Sequence, residues 1–362
     1  MKNYNQPLSK ASFKFVQLLL KSIFVHVMLM SFLLISCSSE TTESEFTSDT
    51  NADFKAKAGN LSEPGSPELF LSGFQGASGS TIGPGGDLFV AEGAIGQISR
   101  VDLKSGEVSI FASGLPPSII GIDGVTDLVF YGDTAYAIVT LVGPQFGTDD
   151  KVGIYRIDGY SDFTLIADIG QFSLENPPST DYFVELGVQY SIEAYQGGFL
   201  VADGHHNRIL FVSEEGDISV FWEFDNIVPT GLDVWGATVY MAQAGPVPHE
   251  PEFGKIVSLD PVTGEESMVA SGARLLVDVE FGRGRSLFAL SQGVWNEEGE
   301  GSPALPETGS LVKVMDDGTF SIVAENLDRP TSMEIVKNKA YIISLTGEIW
   351  TVDNISSQPF GI

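Results

Sequence analysis

One pattern of two strands joined by a turn recurs along almost the whole chain and limits the possible folds more than any other feature. In each copy a strand ends in a tight turn, and a second strand follows and ends in small residues, as in LVKVMDDGTFSIVAENL at 311–327. Similar segments lie at 98–115, 154–169, 209–224 and 256–272. A spacing of roughly 40–55 residues is typical of four-stranded propeller blades. The sequence therefore predicts an all-β fold, a six-bladed β-propeller.

Six such units can be counted, and each should contribute its first strand to the wall of a central channel. These innermost strands are predicted near 79–82, 125–130, 190–194, 231–234, 277–281 and 332–336. The last unit lacks a fourth strand because the chain ends soon after Asp353. The segment ELFLSGF, Glu68 to Phe74, has the pattern of the fourth strands elsewhere. We expect it to close the ring by pairing into the last blade, which removes exposed sheet edges.

The start of the chain has the pattern of a secretion signal. Four lysines precede an apolar run over 22–35, which is short for a membrane-spanning helix. The run is followed by Ser36 and then by Cys37, the only cysteine, an order that resembles a bacterial lipoprotein signal. The predicted organisation is a signal over 1–37 with Cys37 lipidated, a flexible tether over 38–67, and a propeller over 68–355. An uncleaved anchor with an incidental cysteine is the alternative.

Both interpretations place the domain outside the cytoplasm and attached to a membrane, which we expect to be the outer membrane of a Gram-negative bacterium. Removal of four lysines with the signal leaves 15 basic residues against 48 acidic ones, a net charge of −33. This balance argues against nucleic acid as a partner. It favours cations, cationic or neutral small molecules, or solubility alone.

Several motifs resemble a known family. The segment VADGHHNRILFV at 201–212 resembles the NHL repeat signature, in which an Asp ends the second strand, an Asn lies in the turn and Arg-Ile opens the third strand. Together with VQY at 188–190, VPTGL at 228–232 and DVEF at 278–281, it makes the chain similar to the ScyD/ScyE family of extracytoplasmic propellers. The resemblance implies an NHL-like fold, an extracytoplasmic location and an accessory role in pigment or secondary-metabolite processing. The chain departs from many relatives at 176–179, where it reads NPPS.

Acidic residues occupy equivalent positions on the predicted innermost strands. Because side chains alternate along a strand, the residues on either side of each buried apolar position face the channel. These acids are Glu193, Asp233, Glu280 and Glu334 at one level, with Asp127 and Asp278 one level above. Crowded carboxylates repel each other and acquire raised pKa values. A bound cation would relieve the repulsion, and hard oxygen donors favour Ca²⁺ or Mg²⁺.

The four acids of the lower level are therefore the predicted metal ligands, with calcium as the expected cofactor. In the alternative interpretation water fills the channel, and each acid pairs with a backbone N–H or with an arginine such as Arg274 or Arg329.

The ends of the second strands and the loops that follow should surround one mouth of the channel. The predicted ligand-binding residues at this face are Glu92, Asp203, His205, His206, Gln243 and Gln292. Three long loops lie on the same face, at 141–152, at 244–253 with His249, and at 293–308 with Trp295. Long loops gathered on one face are typical of a binding face. The two adjacent histidines suit a metal pair or a general base, and equally a polar turn.

The first functional hypothesis is a lipid-anchored propeller that binds a small molecule or a partner protein on its loop-rich face. The alternative is a calcium-dependent hydrolase, similar to lactonases, that acts in the acidic channel. The sequence contains no Gly-x-Ser-x-Gly nucleophile elbow, phosphate loop or dinucleotide fingerprint. It does not identify the ligand or substrate.

Overall fold

The structure is a computed structural model that describes residues 64–121 and 123–356. The described residues form six four-stranded antiparallel sheets, arranged as the blades of a β-propeller, and this confirms the fold predicted from the sequence. The predicted signal, the lipidated Cys37 and the tether up to residue 63 lie outside the described residues. Among the described residues, no helix is both long and apolar enough to cross a bilayer.

Blades 1 to 3 each follow the chain from the innermost to the outermost strand. Blade 1 consists of β2 (Ala77–Ile82), β3 (Leu88–Glu92), β4 (Gln97–Val101) and β5 (Val108–Ser113). Blade 2 consists of β6 (Gly124–Tyr131), β7 (Thr134–Thr140), β8 (Gly153–Gly159) and β9 (Asp162–Asp168). Blade 3 consists of β10 (Gln189–Tyr195), β11 (Gly198–Asp203), β12 (Arg208–Ser213) and β13 (Ile218–Glu223).

Blades 4 and 5 have the same order, and all six predicted innermost strands are confirmed. Blade 4 consists of β14 (Pro229–Trp235), β15 (Thr238–Gln243), β16 (Lys255–Asp260) and β17 (Glu265–Ser271). Blade 5 consists of β18 (Leu276–Phe281), β19 (Leu287–Ser291), β20 (Gly309–Val314) and β21 (Phe320–Leu327). Blade 6 begins with β22 (Pro330–Val336), β23 (Lys339–Ser344) and β24 (Glu348–Asp353).

The fourth strand of blade 6 comes from the beginning of the propeller, as the sequence predicts. Strand β1 (Glu68–Ser72) pairs antiparallel with β24, and Glu68 lies opposite Thr351. Contact with this blade starts before the strand, because the backbone N–H of Gly65 donates a 2.7 Å hydrogen bond to the carbonyl of Asp353. Two distant parts of the chain therefore share one sheet, which joins the ring.

Small residues are required where the innermost strands approach each other. A Cβ atom on Gly79 would lie 2.2 Å from Oδ1 of Asp127, and one on Gly231 would lie 2.5 Å from the Cα of Asp278. Between blades the space is filled by apolar side chains; for example, the ring of Phe89 packs edge-on against Phe111 and Phe130 at centroid distances of 4.9 and 4.8 Å. The core therefore lies between the blades, and the acidic side chains are left facing the axis.

One short helix is absent from the sequence prediction. Helix α1 (Ile169–Glu175) connects blade 2 to blade 3, and the side chain of Asp168 caps it by accepting a 2.8 Å hydrogen bond from the N–H of Gln171. Seven residues are two turns, which is too short for an apolar periodicity to be recognised. The helix matters for the mouth because Ser173 contacts a buried arginine of blade 3.

The strand exchange in blade 6 predicts a sharp difference between two truncations. A chain that begins at residue 64 should melt as one cooperative unit, whereas a chain that begins at residue 76 lacks β1 and leaves β24 as an open edge. We expect the shorter chain to lose roughly 10 °C or more in Tm, or to aggregate. Differential scanning calorimetry checks this, and equal Tm values for the two truncations would contradict the closure.

Candidate functional site at the channel and its mouth

Three aspartates in the channel hold neighbouring blades together. The carboxylate of Asp127 accepts a hydrogen bond from the backbone N–H of Ile192 at 3.0 Å. Asp233 and Asp278 accept bonds in the same way from the N–H groups of Phe281 and Met333, both at 2.7 Å. Each donor lies on the innermost strand of another blade.

Asp233 and Asp278 have a second partner each, the N–H of the residue that follows them, at 2.6 and 2.8 Å. The three aspartates therefore accept hydrogen bonds from backbone N–H groups, as the water-filled interpretation of the channel expects for its acids.

The three glutamates of the channel have different surroundings. Glu193, Glu280 and Glu334 are half-buried, and within the described part of the chain their carboxylates take part in no hydrogen bond or ion pair. The two arginines considered as partners lie elsewhere. Arg274 pairs with Glu250 at 2.9 Å, and Arg329 pairs with Asp328 at 2.6 Å.

Burial and mutual repulsion make these acids hard to ionise. Burial raises the pKa of Glu193, Glu280 and Glu334 well above the ordinary value, and the other channel carboxylates raise it further. Burial also raises the pKa of Asp127 well above its usual range and that of Asp278 to about 7, although the backbone N–H groups oppose the shift. The pKa of Asp233 is raised for the same reason. Within residues 64–121 and 123–356, no lysine or arginine is among the causes of these shifts.

The predicted metal ligands do not form a ready coordination sphere. Among residues 64–121 and 123–356, no group of three or more His, Cys, Asp or Glu side chains is placed so that it could hold a metal ion. Calcium requires six to eight oxygen ligands at 2.3–2.6 Å, as a general rule. The structure therefore does not by itself define a calcium site at Glu193, Asp233, Glu280 and Glu334, and that site stays a prediction.

The difference between the glutamates and the aspartates predicts opposite effects of amide substitution. Since the folded protein binds protons that the unfolded chain releases, the free energy of unfolding should fall as pH rises from about 4 through 7. Glu280→Gln removes repulsion without removing a hydrogen bond and should raise Tm at pH 8 by about 2–4 °C, with little effect at pH 5. Asp278→Asn loses an acceptor between two blades and should lower Tm. Thermal melts at both pH values test this; stabilisation by Asp278→Asn together with destabilisation by Glu280→Gln would refute it.

Two of the side chains predicted at the mouth, Glu92 and Gln243 at the ends of second strands, lie buried below its surface. Glu92 is 3% exposed and accepts hydrogen bonds from Gln75, Gln97 and Ser99. Gln243 is 5% exposed and donates to the carbonyl of Phe253 at 2.9 Å.

Gln292 is half-buried and accepts from the N–H of Ala304 at 2.9 Å. The sequence expects these side chains to face a ligand. In the structure they hold the loops of the face in place.

Asp203 and His206 belong to a fully buried network in blade 3. Oδ2 of Asp203 accepts from Nε of Arg208 at 2.8 Å, and Oδ1 accepts from Gln189 at 2.8 Å. Nε2 of His206 lies 2.9 Å from the carbonyl oxygen of Val184, and its Nδ1 lies 3.1 Å from both Oδ2 of Asp203 and Nη2 of Arg208.

Arg208 also donates to the carbonyl of Asn176 and to the hydroxyl of Ser173. The network ties the connection from blade 2, residues 169–188, to the mouth. Asp203 and His206 have no exposed surface, so in this arrangement their side chains stabilise the loop.

Removal of the buried arginine should be far more harmful than removal of an exposed one. Arg208→Met leaves Asp203 buried without its cation, which typically costs about 3–5 kcal/mol. Arg100→Met is the matched control, since Arg100 pairs with Asp87 on the outside and its side chain is 52% exposed; it should cost less than about 1 kcal/mol. Urea unfolding measures both values. Similar losses in the two variants would show that the buried network does not stabilise blade 3.

His205 is the predicted mouth residue that does reach the face. It is half-buried, and its Nε2 lies 2.8 Å from the hydroxyl of Tyr190. The ring of Phe183, which is 51% exposed, packs edge-on against the imidazole at 4.8 Å. Burial lowers the pKa of His205 to about 4, so the ring is neutral at physiological pH. The hydroxyl of Tyr190 and Nε2 of His205 therefore share one hydrogen bond, in which either atom can be the donor.

A second neutral histidine comes from the next blade. Nδ1 of His249 donates to the carbonyl of Gly245 at 2.8 Å, and burial lowers the pKa of the ring. The edge of the ring faces Trp295, with centroids 5.9 Å apart.

Trp295 lies on the long loop 293–308, which we call the strap. The strap extends from blade 5 as far as blade 3, where a Cβ on Gly301 would lie 3.9 Å from Cε1 of His205. It therefore covers part of the mouth.

Of this cluster, the sequence predicted only His205 as a site residue and named His249 and Trp295 only as members of long loops, while Tyr190 and the nearby Asp123 were not predicted. Tyr190 directly precedes the small channel residue Ser191, so strand alternation alone does not place it at the mouth. Asp123 ends the loop before blade 2, where it has a positive φ of 62°. In the sequence, Tyr190 opens a predicted innermost strand and Asp123 lies just before another. The contact of Tyr190 with His205 depends on the turn after β11, which periodicity does not describe.

Comparison with solved structures supports the fold. A gluconolactonase from Xanthomonas campestris matches with a TM-score of 0.57 at 10% identity, over 81% of this chain and 95% of its own. Virginiamycin B lyase from Staphylococcus aureus matches with a TM-score of 0.50 at 12% identity, over 80% and 98%. A chain of the nidogen–laminin complex matches with a TM-score of 0.51 at 12% identity, over 74% and 90%.

At these identities the likeness shows a shared six-bladed propeller fold and nothing finer. No protein-family model and no curated protein matches the chain. The resemblance to ScyD/ScyE proteins therefore stays a prediction.

Proposed function

We propose that this protein is a binding module that holds a small molecule or a partner protein on the loop-rich face of its propeller. The observation that carries the proposal is the cluster at the mouth, where Tyr190, His205, His249 and Trp295 are brought together by loops of three consecutive blades. Few polar atoms of this face are left for a ligand, because the strand ends beneath it are occupied by internal hydrogen bonds. The rings of Tyr190, His205 and Trp295 are half-buried and remain accessible, whereas His249 is only 7% exposed.

Apolar side chains extend the same face around the cluster. Ile119, Tyr182 and Phe183, on the connections into blades 2 and 3, are 45%, 42% and 51% exposed. Val294 and Leu305, at the two ends of the strap, are 41% and 44% exposed. Exposed apolar side chains surrounding a few placed polar groups are typical of binding surfaces.

The proposal includes attachment to a membrane through Cys37 and an extracytoplasmic location. Both rest on the order of charge, apolar run and cysteine at the start of the chain.

The alternative is a calcium-dependent hydrolase or lactonase-like enzyme that acts in the acidic channel. One observation favours it: Glu193, Glu280 and Glu334 have no partner within the described part of the chain, and a cation would compensate them. Two structural neighbours have names that denote enzymes, a gluconolactonase and a lyase for which a histidine-to-alanine variant is described as inactive. We prefer the binding function because the accessible rings at the mouth support it directly.

A thermal-shift screen with matched variants at the two ends of the propeller tests the proposal. Compounds that raise the Tm of the wild-type protein should also raise that of Trp235→Ser, but not that of Phe183→Ser. The two side chains are similarly exposed, at 42% and 51%, and Trp235 lies at the opposite end of its blade. Hits that depend on Trp235 and not on Phe183 would contradict the proposal. CaCl2 belongs in the screen, since a calcium shift that Glu280→Gln abolishes would support the enzyme alternative.

A further inference from the structure

A cavity lies on the outer wall of the propeller between blades 3 and 4, away from the mouth. Blade 3 contributes the rings of Tyr195, Phe211, Phe221 and Trp222 to its lining, and blade 4 contributes Pro261. The volume is about 400 Å³. The ring of Phe221 lies edge-on to Tyr195, with centroids 5.6 Å apart, and 6.4 Å from Trp222. Because Phe211, Phe221 and Trp222 are only half-buried, the cavity is open to solvent, and we call it the wall groove.

The other blades show that two of these rings are special to blade 3. Trp222 lies opposite Ile209, and the equivalent residues of four other blades are the buried alanines Ala112, Ala167, Ala270 and Ala324. Phe211 lies opposite Ser219, and the equivalent residues of the other five blades are polar, namely Arg100, Arg156, Ser258, Lys313 and Thr351. Blade 3 therefore departs from the repeat twice, and both departures put an aromatic ring into the wall groove.

Blade 4 departs from the repeat on the opposite side of the groove. Glu266 lies opposite Leu259, which packs in the core between blades 3 and 4. Since paired residues of neighbouring strands share one face of a sheet, Glu266 belongs to the face of blade 4 that is turned towards blade 3. The equivalent residues of blades 1, 2, 3 and 5 are apolar, namely Val108, Phe163, Ile218 and Phe320. Val262, next to Pro261, is 84% exposed and extends the apolar surface.

The ionisable residues beside the wall groove are acidic. The segments 209–223 and 256–268, which form the outer strands on its two sides, contain four and three acids and no lysine or arginine. The equivalent strands of blades 1, 2 and 5 each carry a basic residue, namely Arg100, Arg156 and Lys313. Glu266 is exposed and forms no ion pair within the described part of the chain. A basic partner is therefore attracted to this surface, and an acidic one is repelled.

The shape of the groove favours a polypeptide over an enclosed small molecule. Small-molecule sites usually surround most of the ligand, whereas half-exposed aromatic residues in an open groove are typical of the anchor points of protein–protein interfaces. A hydrogen-bond donor is also available. The indole N–H of Trp222 has no acceptor within residues 64–121 and 123–356, while those of Trp295 and Trp350 donate at 2.8 and 2.9 Å.

We propose that the wall groove is a second interaction surface, which binds a segment of a partner protein through an apolar side chain seated among Phe211, Trp222 and Pro261. Lysine or arginine residues that flank this side chain are attracted by Glu266 and the neighbouring acids. The surface lies on the outer wall and does not rest on the proposed function of the loop-rich face. It gives a role to the two rings of blade 3, since alanine and polar residues occupy the same positions in other blades.

Fluorescence polarisation of the full chain with labelled peptides tests the proposal. The peptide GKFKVKG should bind, GKSKVKG should bind at least about fivefold more weakly because it lacks the aromatic ring, and GEFEVEG should not bind. Trp222→Ala and Phe211→Ser give blade 3 the residues that other blades carry, and each should weaken binding of GKFKVKG roughly tenfold. Glu266→Gln should weaken it about threefold, with a larger effect at low salt. Glu107→Gln, an exposed acid in the outer turn of blade 1, is the control and should change the affinity less than about twofold.

Several results would overturn the proposal. One is that the wild-type protein binds none of the peptides at concentrations up to about 1 mM, and another is that it binds the acidic peptide as tightly as the basic one. A third is that Trp222→Ala and Phe211→Ser leave the affinity unchanged. Thermal melts show whether the variants are folded, and if Trp222→Ala is not, Phe211→Ser and Glu266→Gln still decide. Phe183→Ser should bind GKFKVKG as the wild type does, since Phe183 lies on the loop-rich face; loss of binding in that variant would place the peptide at the mouth and contradict the wall groove.

Discussion

Hydrogen bonds from backbone N–H groups to three channel aspartates are the interaction on which the rest of this propeller depends. Asp127, Asp233 and Asp278 each accept from the innermost strand of another blade, at 2.7 to 3.0 Å. A carboxylate can accept several such bonds, so these residues offset part of their own desolvation while they join the blades. Within the described residues, no hydrogen bond or ion pair offsets the desolvation of the three channel glutamates. Of six similar acids, the three aspartates therefore join the blades, and the three glutamates face the axis.

At the mouth, too, some polar side chains are fully used in internal hydrogen bonds, whereas others remain open to a ligand. Asp203, His206 and Arg208 are saturated by one another and have almost no exposed surface, so they fix the connection into blade 3. His205, one residue earlier than His206, lies half-buried against Tyr190 and Phe183. Adjacent histidines thus have separate roles, one internal and one at the face. The proposed binding surface begins at His205, directly beside the buried hydrogen-bond network of Asp203, His206 and Arg208.

Much of this architecture could be predicted from the sequence, because it depends on strand periodicity. The repeat gave the six blades, the pattern of Glu68 to Phe74 predicted the strand that closes the ring, and alternation along the innermost strands placed the acids at the axis. Periodicity does not describe irregular loops. The strap is a loop of sixteen residues, and its course brings Gly301 close to His205, two blades away. The surroundings of Tyr190, which contacts His205, depend on the same loop. Nor could the pattern show which acids meet a backbone N–H, since that depends on how adjacent strands are staggered.

The central claim is that the mouth presents two imidazoles that resist protonation, and ¹⁵N NMR of the histidine rings tests it most directly. The chain has four histidines, of which His205, His206 and His249 belong to the described residues, so the spectrum is simple. The account predicts that His205 stays neutral from pH 8 down to pH 6, since burial lowers its pKa to about 4, and that His249 carries its proton on Nδ1 and has a pKa below the ordinary value, again because of burial. Protonation of either ring near pH 6.5, or a proton on Nε2 of His249, would contradict it.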